Sequence, residues 1–435
     1  MKINNKKDIK DLFIGLDEKV CTCDGRCINT INFDNAATTP PIKSSIEYIK
    51  KLSNTYASIG RGTGQKAEIT TNLYKESKIF LMNFFNIKDT EKYVVIYVNN
   101  TTEGINKLAK TLIKKQDDIV LTSRMEHHSN DLPWRNRGKV EYIEVDENGR
   151  LIIEDLEKKL KANYGKVKYV SLTGASNVTG YINDIHLIAR LVHKYNCKLI
   201  IDGAQLVPHR KVDISGKSED EQIDFLVFSS HKIYSPFGVG VIIGLKEDFT
   251  DVDPDYFGGG TVDLVLDNEV TYLSPPERNE AGTQNFLGVM GLVNSLRVIN
   301  TLGYDYIEKH ENILLDHMIQ GLKSIAKIIN YGDTENLEDR LGITTFNIEN
   351  MYHHDVAQIL ANRKGISVRH GWFCAHPYCR RLMQATETEA KEFLTNPEKK
   401  MLGMVRVSFA LYNSLDEVNI FLNILEDICL GKINL

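Results

Sequence analysis

No uninterrupted apolar run in these 435 residues reaches the length that a bilayer-spanning helix needs. Charge of one sign is not in excess either. The 53 basic and 58 acidic side chains leave a formal −5, and no basic tract stands out, so no nucleic-acid partner is expected. The opening stretch, Met1 to Val20, is rich in lysine and aspartate and lacks an apolar core, so no secretory leader is expected and the predicted location is cytoplasmic. Seven cysteines are an odd number, and a chain this long needs no disulfide framework. In a reducing compartment they are core residues, metal ligands or reactive thiols. Internal repeats and low-complexity segments are absent as well. What remains is 42% hydrophobic and 26% charged, an ordinary globular composition with enough chain for two cores.

Short apolar runs alternate with amphipathic helical stretches. "YVVIYV" (93–98) precedes "TTEGINKLAKTLIKK", in which Ile105, Leu108, Leu112 and Ile113 fall on one helical face. The runs "DIVLTS" (118–123), "VKYVSLT" (167–173), "KLIID" (198–202), "FLVFSS" (225–230) and "VGVIIGL" (239–245) follow. Such alternation predicts an α/β fold with a mostly parallel sheet covered by helices. After "GTQNFLGVMGLVNSLRVI" the texture changes, and a smaller α+β domain is expected over 295–435. The large domain then spans 31–294, preceded by an extension, 1–30, that carries "CTCDGRC".

Polar residues gather where these strands end: Thr101 and Thr102, then His127 and His128, Asn177, Asp202 with Gln205, and Ser229 with His231 and Lys232. Ligands of open parallel sheets bind at that edge. Lys232 is the anomaly, because an ammonium at the end of a core strand is costly to desolvate. Desolvation also makes the amine easier to deprotonate, hence nucleophilic. A bare snorkelling lysine and a plain helix cap at Thr101 are the structural alternatives. Taken together, a lysine amine, an aspartate for a ring nitrogen and hydroxyls at a helix N-terminus are what pyridoxal phosphate requires. His127 is placed to stack on its ring, with Asn177 and Gln205 near the phenolic oxygen.

The segments "FDNAATTP", "TTEGIN", "MEHHSN…PW", "SNVTG", "IDGAQ", "FSSHKIYSPFGVGVI", "EAGTQN" and "RVSFALYNS" run collinearly from about Ile31 onward. In that order they resemble the class V aminotransferase superfamily, and most of all its cysteine desulfurase and selenocysteine lyase branch. The resemblance implies the aspartate-aminotransferase-like type I fold, a homodimer, and pyridoxal phosphate on Lys232 with Asp202 at the pyridinium. It assigns the phosphate to Thr102, Ser229 and His231, beside the Thr101 that the helix start already offers, with Thr283 of "EAGTQN" reaching in from the other subunit. Arg406 in "VRVSFALYN" would clamp the amino-acid carboxylate, a task suited to a guanidinium. In "VRHGWFCAHPYC", Arg369 and Cys374 match the loop that carries the sulfur-accepting thiol, with His370 and His376 nearby to favour its thiolate. L-cysteine would give L-alanine and a persulfide on Cys374, which a sulfur-acceptor protein then relieves.

Alternatives remain at this stage. An aminotransferase, an epimerase or a cysteine β-lyase would use the same Lys232, Asp202 and Arg406, and a non-catalytic scaffold would keep the fold alone. Cys374 itself reads as a catalytic thiol, a buried apolar thiol or half of a pair with Cys379. Three features depart from the branch. "SIGRGTGQ" keeps Arg61 but lacks the branch's histidines, and the charged, helix-forming stretch "CRRLMQATETEAKEFLTNPEKK" lengthens the gap from Cys374 to Arg406. That insertion suits a lid, a docking surface or a reshaped pocket. The Cys-x-Cys-x3-Cys spacing of Cys21, Cys23 and Cys27 is not a common zinc pattern, so no metal is expected; a disordered or weakly packed thiol cluster ranks above a metal site, and a sulfur relay comes third.

Overall fold

A short hairpin of β1 (Lys19–Cys21) and β2 (Cys27–Asn29) leads into β3 (Ile31–Asn32), and only then does the chain build its main sheet. The computed structural model describes residues 9–433 other than 23, 24, 61 and 397, so Cys23 and Arg61 lie outside the described residues.

Runs of β-branched and aromatic residues form a seven-stranded sheet, since such side chains pack well on a pleated surface. Its strands are β4 (Tyr93–Val98), β5 (Ile119–Ser123), β6 (Lys139–Ile143), β7 (Val167–Thr173), β8 (Lys198–Asp202), β9 (Phe225–Ser229) and β10 (Gly240–Leu245). They lie in the order β4-β10-β9-β8-β7-β5-β6. Only β10 runs against its neighbours, pairing antiparallel with both β4 and β9. The carboxyl ends of the other six strands therefore share one edge. Helix Thr101–Leu112 covers the sheet with Ile105, Leu108 and Leu112 buried, as their spacing predicts. Gly240 is required where β10 begins: a Cβ there would come within 2.6 Å of the Asn100 backbone.

A hairpin of β11 (Val262–Val265) and β12 (Val270–Tyr272) projects with Leu264, Val265 and Val270 exposed. Beyond it, a four-stranded antiparallel sheet has the order β13-β14-β17-β16, from β13 (Ile328–Tyr331), β14 (Ile343–Ile348), β16 (Arg369–Gly371) and β17 (Met404–Ser408). The short β15 (Ile366–Ser367) pairs parallel with β3. Three buried hydrophobic clusters result, a large one on the main sheet, a second on the smaller sheet and a third that includes Met125, Val178, Trp372 and Tyr378. Residue 295 falls inside helix Phe286–Leu302, whose Val289, Leu292, Leu296 and Ile299 belong to the large core. After Gly303, helix Tyr304–Ser324 gives Ile307 to the large core and Leu314, Met318 and Leu322 to the second. From the N-terminal extension Ile9 and Phe13 are buried in the large core, while Ile31 and Phe33, just past it, join the second. Among the described residues, no single helix is long and apolar enough to cross a membrane.

Candidate active site

Five strand ends open onto one cavity of about 460 Å³. Its wall contains Thr101, Thr102, His127, Asn177, Asp202, Gln205, Ser229, His231, Lys232, Arg369, Cys374 and Arg406. Sequence reading had named all of these. Thr283 is the exception: it is exposed on a loop outside this wall.

At one end lies the start of helix Thr101–Leu112. Asn100, not Thr101, caps it, accepting from the Glu103 amide at 2.9 Å. Thr101 is buried and bonded to Ser229, whose Oγ lies 2.7 Å from both the Thr101 amide and its hydroxyl. Thr102 Oγ1 contacts Ser129 Oγ at 2.7 Å. Hydroxyls around a helix N-terminus make a cradle for an anion, favoured by the helix dipole.

At the other end Asp202 closes β8, 4% exposed, its Oδ1 accepting from the Ala204 amide at 3.0 Å. Burial raises its pKa, and the charge of Lys232 pulls against that rise. Lys232 follows β9 in a tight turn, half-buried. Burial pushes its amine down to about 8, against the attraction of Asp202. The turn is fixed from outside, because the His231 carbonyl accepts from the Thr39 amide at 3.0 Å and from the hydroxyls of Thr38 and Thr39. "AATTP" thus holds the lysine in place.

His127 caps the short turn His128–Asn130 by accepting from the Ser129 amide at 3.1 Å, so its Nδ1 carries no proton. Burial, then the charge of Lys232, lowers its pKa to about 3, and His231 falls to about 4 for the same two reasons. Both rings are neutral at physiological pH. Behind His127 sits a residue that sequence reading missed. Glu126, 2% exposed, accepts from Ser123 Oγ and, at 2.7 Å, from Asn130 Nδ2, while Asn130 Oδ1 accepts from Trp134 and Ser171. Burial pushes this carboxyl up to about 8. The signal was present in "MEHHSN…PW", but only the fold shows that the acid points inward.

The opposite wall belongs to the small domain. Arg406 on β17 is 2% exposed; its Nη2 pairs with Asp34 Oδ1 at 2.9 Å and its Nη1 donates to the Asn177 carbonyl at 3.0 Å. Its Nε is buried without a partner. Arg369 is exposed, 3.6 Å from the other oxygen of Asp34. Asp34, not noticed in the sequence, therefore sits between the two guanidinium groups.

Cys374 is exposed in the cavity wall. Phe373 and Cys374 both take the left-handed conformation, φ 49° and 55°, which costs a residue with a Cβ on the order of 1 kcal/mol or more. Hydrogen bonds hold the loop there: the Asn177 amide group donates to the Phe373 carbonyl at 2.8 Å, and the His128 amide to the Cys374 carbonyl at 2.7 Å. Neither structural alternative for this thiol survives. It is not buried, and it is not paired with Cys379, whose buried thiol donates to the Trp372 carbonyl at 3.2 Å. The expected help from His370 and His376 is also corrected. His370 stacks on His353, and His376 packs against His128 and Trp372. Burial lowers both pKa values, so neither supplies a cation at neutral pH.

Pyridoxal phosphate fits this donor set. An anion cradle, a buried carboxylate, an amine of lowered pKa and a flat neutral ring all border the one cavity. Gln205 offers a buried Oε1 that no protein donor satisfies, while its Nε2 is fixed to the Ala36 carbonyl at 2.7 Å. Among the described residues no three His, Cys, Asp or Glu side chains are grouped to hold a metal ion.

Comparison with known proteins agrees. A family model described as aminotransferase class-V matches residues 31–421. A probable cysteine desulfurase of Pyrococcus abyssi is 36% identical over 92% of this chain and 94% of its own length, and one of Halalkalibacterium halodurans is 32% identical over 95% and 96%. Among solved structures, an apo cysteine desulfurase from Thermococcus onnurineus superposes with a TM-score of 0.81 at 32% identity, covering 92% of this chain and 95% of that one. On its sequence, its type I fold and the lysine–aspartate pair at the sheet edge, this chain belongs to the class-V aminotransferase family.

Proposed function

We infer that this protein is a pyridoxal-phosphate-dependent cysteine desulfurase, taking L-cysteine to L-alanine and leaving the sulfur on Cys374. The observation that carries the reading is the exposed Cys374 thiol, which shares one cavity wall with Lys232, Asp202 and Arg406. Desulfurase relatives matched over nearly the full chain support it.

When bound, pyridoxal phosphate supplies an electron sink for bonds at the substrate's Cα. The chain's own residues do the rest. Thr101, Thr102, Ser229 and His231 would hold its phosphate, and Asp202 would keep its ring nitrogen protonated. Asn177 and Gln205 would serve its ring oxygen, and His127 would stack on its ring. Arg406, helped by Arg369, takes the substrate carboxylate in place of Asp34. Lys232, its amine lowered to about 8 and so far easier to deprotonate than a free lysine, takes the Cα proton and returns it. The Cys374 thiolate attacks the substrate sulfur. A sulfur–sulfur bond forms, the Cβ–sulfur bond breaks with its electrons left on carbon, and a proton completes alanine. The sulfur then leaves to an acceptor protein or to free thiol.

We also propose a homodimer that brings Thr283 to the neighbour's phosphate site. The exposed apolar hairpin β11–β12 supports this, because Gly282 beside Thr283 is hydrogen-bonded to Gly259 at its base. The test is incubation of the holoprotein with L-cysteine under a thiol reductant. Equal yields of alanine and sulfide are expected, both lost in Cys374→Ala. Sulfide accompanied by pyruvate, undiminished in that variant, overturns the reading in favour of a β-lyase.

A further inference from the structure

Two thiols of the N-terminal hairpin, Cys21 and Cys27, are unused by this chemistry. Cys21 on β1 stands directly opposite Cys27 on β2. One step toward the turn, the Thr22 amide donates to the Arg26 carbonyl at 2.8 Å, and the Thr22 hydroxyl reaches the same oxygen at 3.0 Å. Hydrogen-bonded and non-hydrogen-bonded pairs alternate along an antiparallel ladder. Cys21 and Cys27 therefore form a non-hydrogen-bonded pair, in which Cα atoms approach to about 4.5 Å with side chains on one face. A disulfide needs a Cα separation of roughly 4.4–6.8 Å. Both thiols are free and exposed. They also touch: a hydrogen bond with Cys21 raises the pKa of Cys27.

The hairpin is fastened to the body, so closing a bond across it needs no refolding. Arg26 Nη2 reaches the Asn362 carbonyl at 3.4 Å. Ile28 lies against Gly365, the left-handed cap of helix His353–Lys364, closely enough that a Cβ on that glycine would come within 2.9 Å of its Cδ1.

We propose that Cys21 and Cys27 are a redox-active dithiol that reduces low-molecular-weight disulfides and closes to a reversible Cys21–Cys27 bond. The thiolate of one cysteine attacks the small disulfide, forming a mixed disulfide and releasing one small thiol. The second cysteine then attacks the protein sulfur of that mixed disulfide and releases the other. The protein gives up two electrons and two protons, and one disulfide becomes two thiols. The pair belongs to the hairpin, so this reaction is independent of the cysteine desulfurase assignment.

Mass spectrometry of the full-length holoprotein after exposure to glutathione disulfide tests this directly. Trypsin cuts after Lys19, Arg26 and Lys43, which puts Cys21 and Cys27 in separate peptides, Val20–Arg26 and Cys27–Lys43. Because Cys23 shares the first peptide, the variant C23S makes the pairing unambiguous, and fragmentation of the wild-type peptides gives the same answer if C23S folds poorly. The expected result is those two peptides linked, two hydrogens lighter, and separated again by reductant. Cys374→Ala should cross-link equally. In C27S, Cys21 should instead retain a glutathione mixed disulfide. Stable glutathione adducts on both cysteines, a Cys23–Cys27 link, or thiols that stay free would each overturn the proposal.

Discussion

The two walls of the cavity are built on different physical terms. The sheet edge presents groups at or just past the strand ends, and burial has moved their proton affinities: Lys232 down to about 8, His127 to about 3, Asp202 upward. The small-domain loop presents an exposed thiol on left-handed backbone, held by bonds to its carbonyls rather than by contacts of its side chain. One wall prepares its reactive groups by desolvation, the other by placement. Cys379, five positions on and fully buried, shows the cost of choosing burial for a thiol: its pKa is driven well above the usual range, away from the reactive thiolate.

This contrast is open to attack from both sides. Replacing Lys232 by alanine removes the only lysine in the wall, so the visible absorbance of bound cofactor should vanish and alanine formation should drop by at least ~10³-fold. Cofactor absorbance that persists would dissolve the contrast. Cys374→Ala should keep that absorbance and melt within ~0.5 kcal/mol of wild type, because its side chain supports nothing. Sulfur transfer in this variant should fall roughly 10²-fold or more for want of a positioned acceptor. Cys379→Ala should show the reverse pattern, with a loss of about 1–2 kcal/mol of stability and unchanged turnover per folded molecule.

Two pH profiles sharpen the electrostatic half. Apoprotein should capture pyridoxal phosphate faster as pH rises from 7 and level off above about 8, where the Lys232 amine is neutral. A rise that continues towards the free-lysine range would mean that burial does not tune this amine. The smallest expected effect concerns Glu126, whose pKa is raised in the fold to about 8 from an ordinary 4.5. Between those values the folded state holds more protons than the unfolded chain, so its contribution to stability is present at low pH and lost as pH rises through 8. Glu126→Gln should therefore flatten the decline in melting temperature between pH 5 and 9, and a parallel profile would remove the carboxyl from consideration.

Much of this was legible beforehand. The strands were readable from apolar runs bounded by turn residues, and the edge was readable because parallel strands end together. The change of texture near residue 295 did not tell which core helix Phe286–Leu302 serves, since an apolar helix fits either, and its Val289, Leu292, Leu296 and Ile299 join the large one. The histidines around Cys374 were read by nearness in sequence, and the fold turned both away. Asp34 and Glu126 were overlooked because an isolated acid in a sequence carries no mark of its partner.

The sequence by itself determined which chemical groups stand at the strand ends, since the alternation of strand and helix fixes where each strand stops. Only the tertiary structure decided how those groups behave. Arg406 meets Asp34 across most of the chain's length, Ser229 meets Thr101, and Cys374 faces a lysine from another domain. Burial and proximity of this kind, which set proton affinity and accessibility, are properties of the packed assembly and not of any local run of residues.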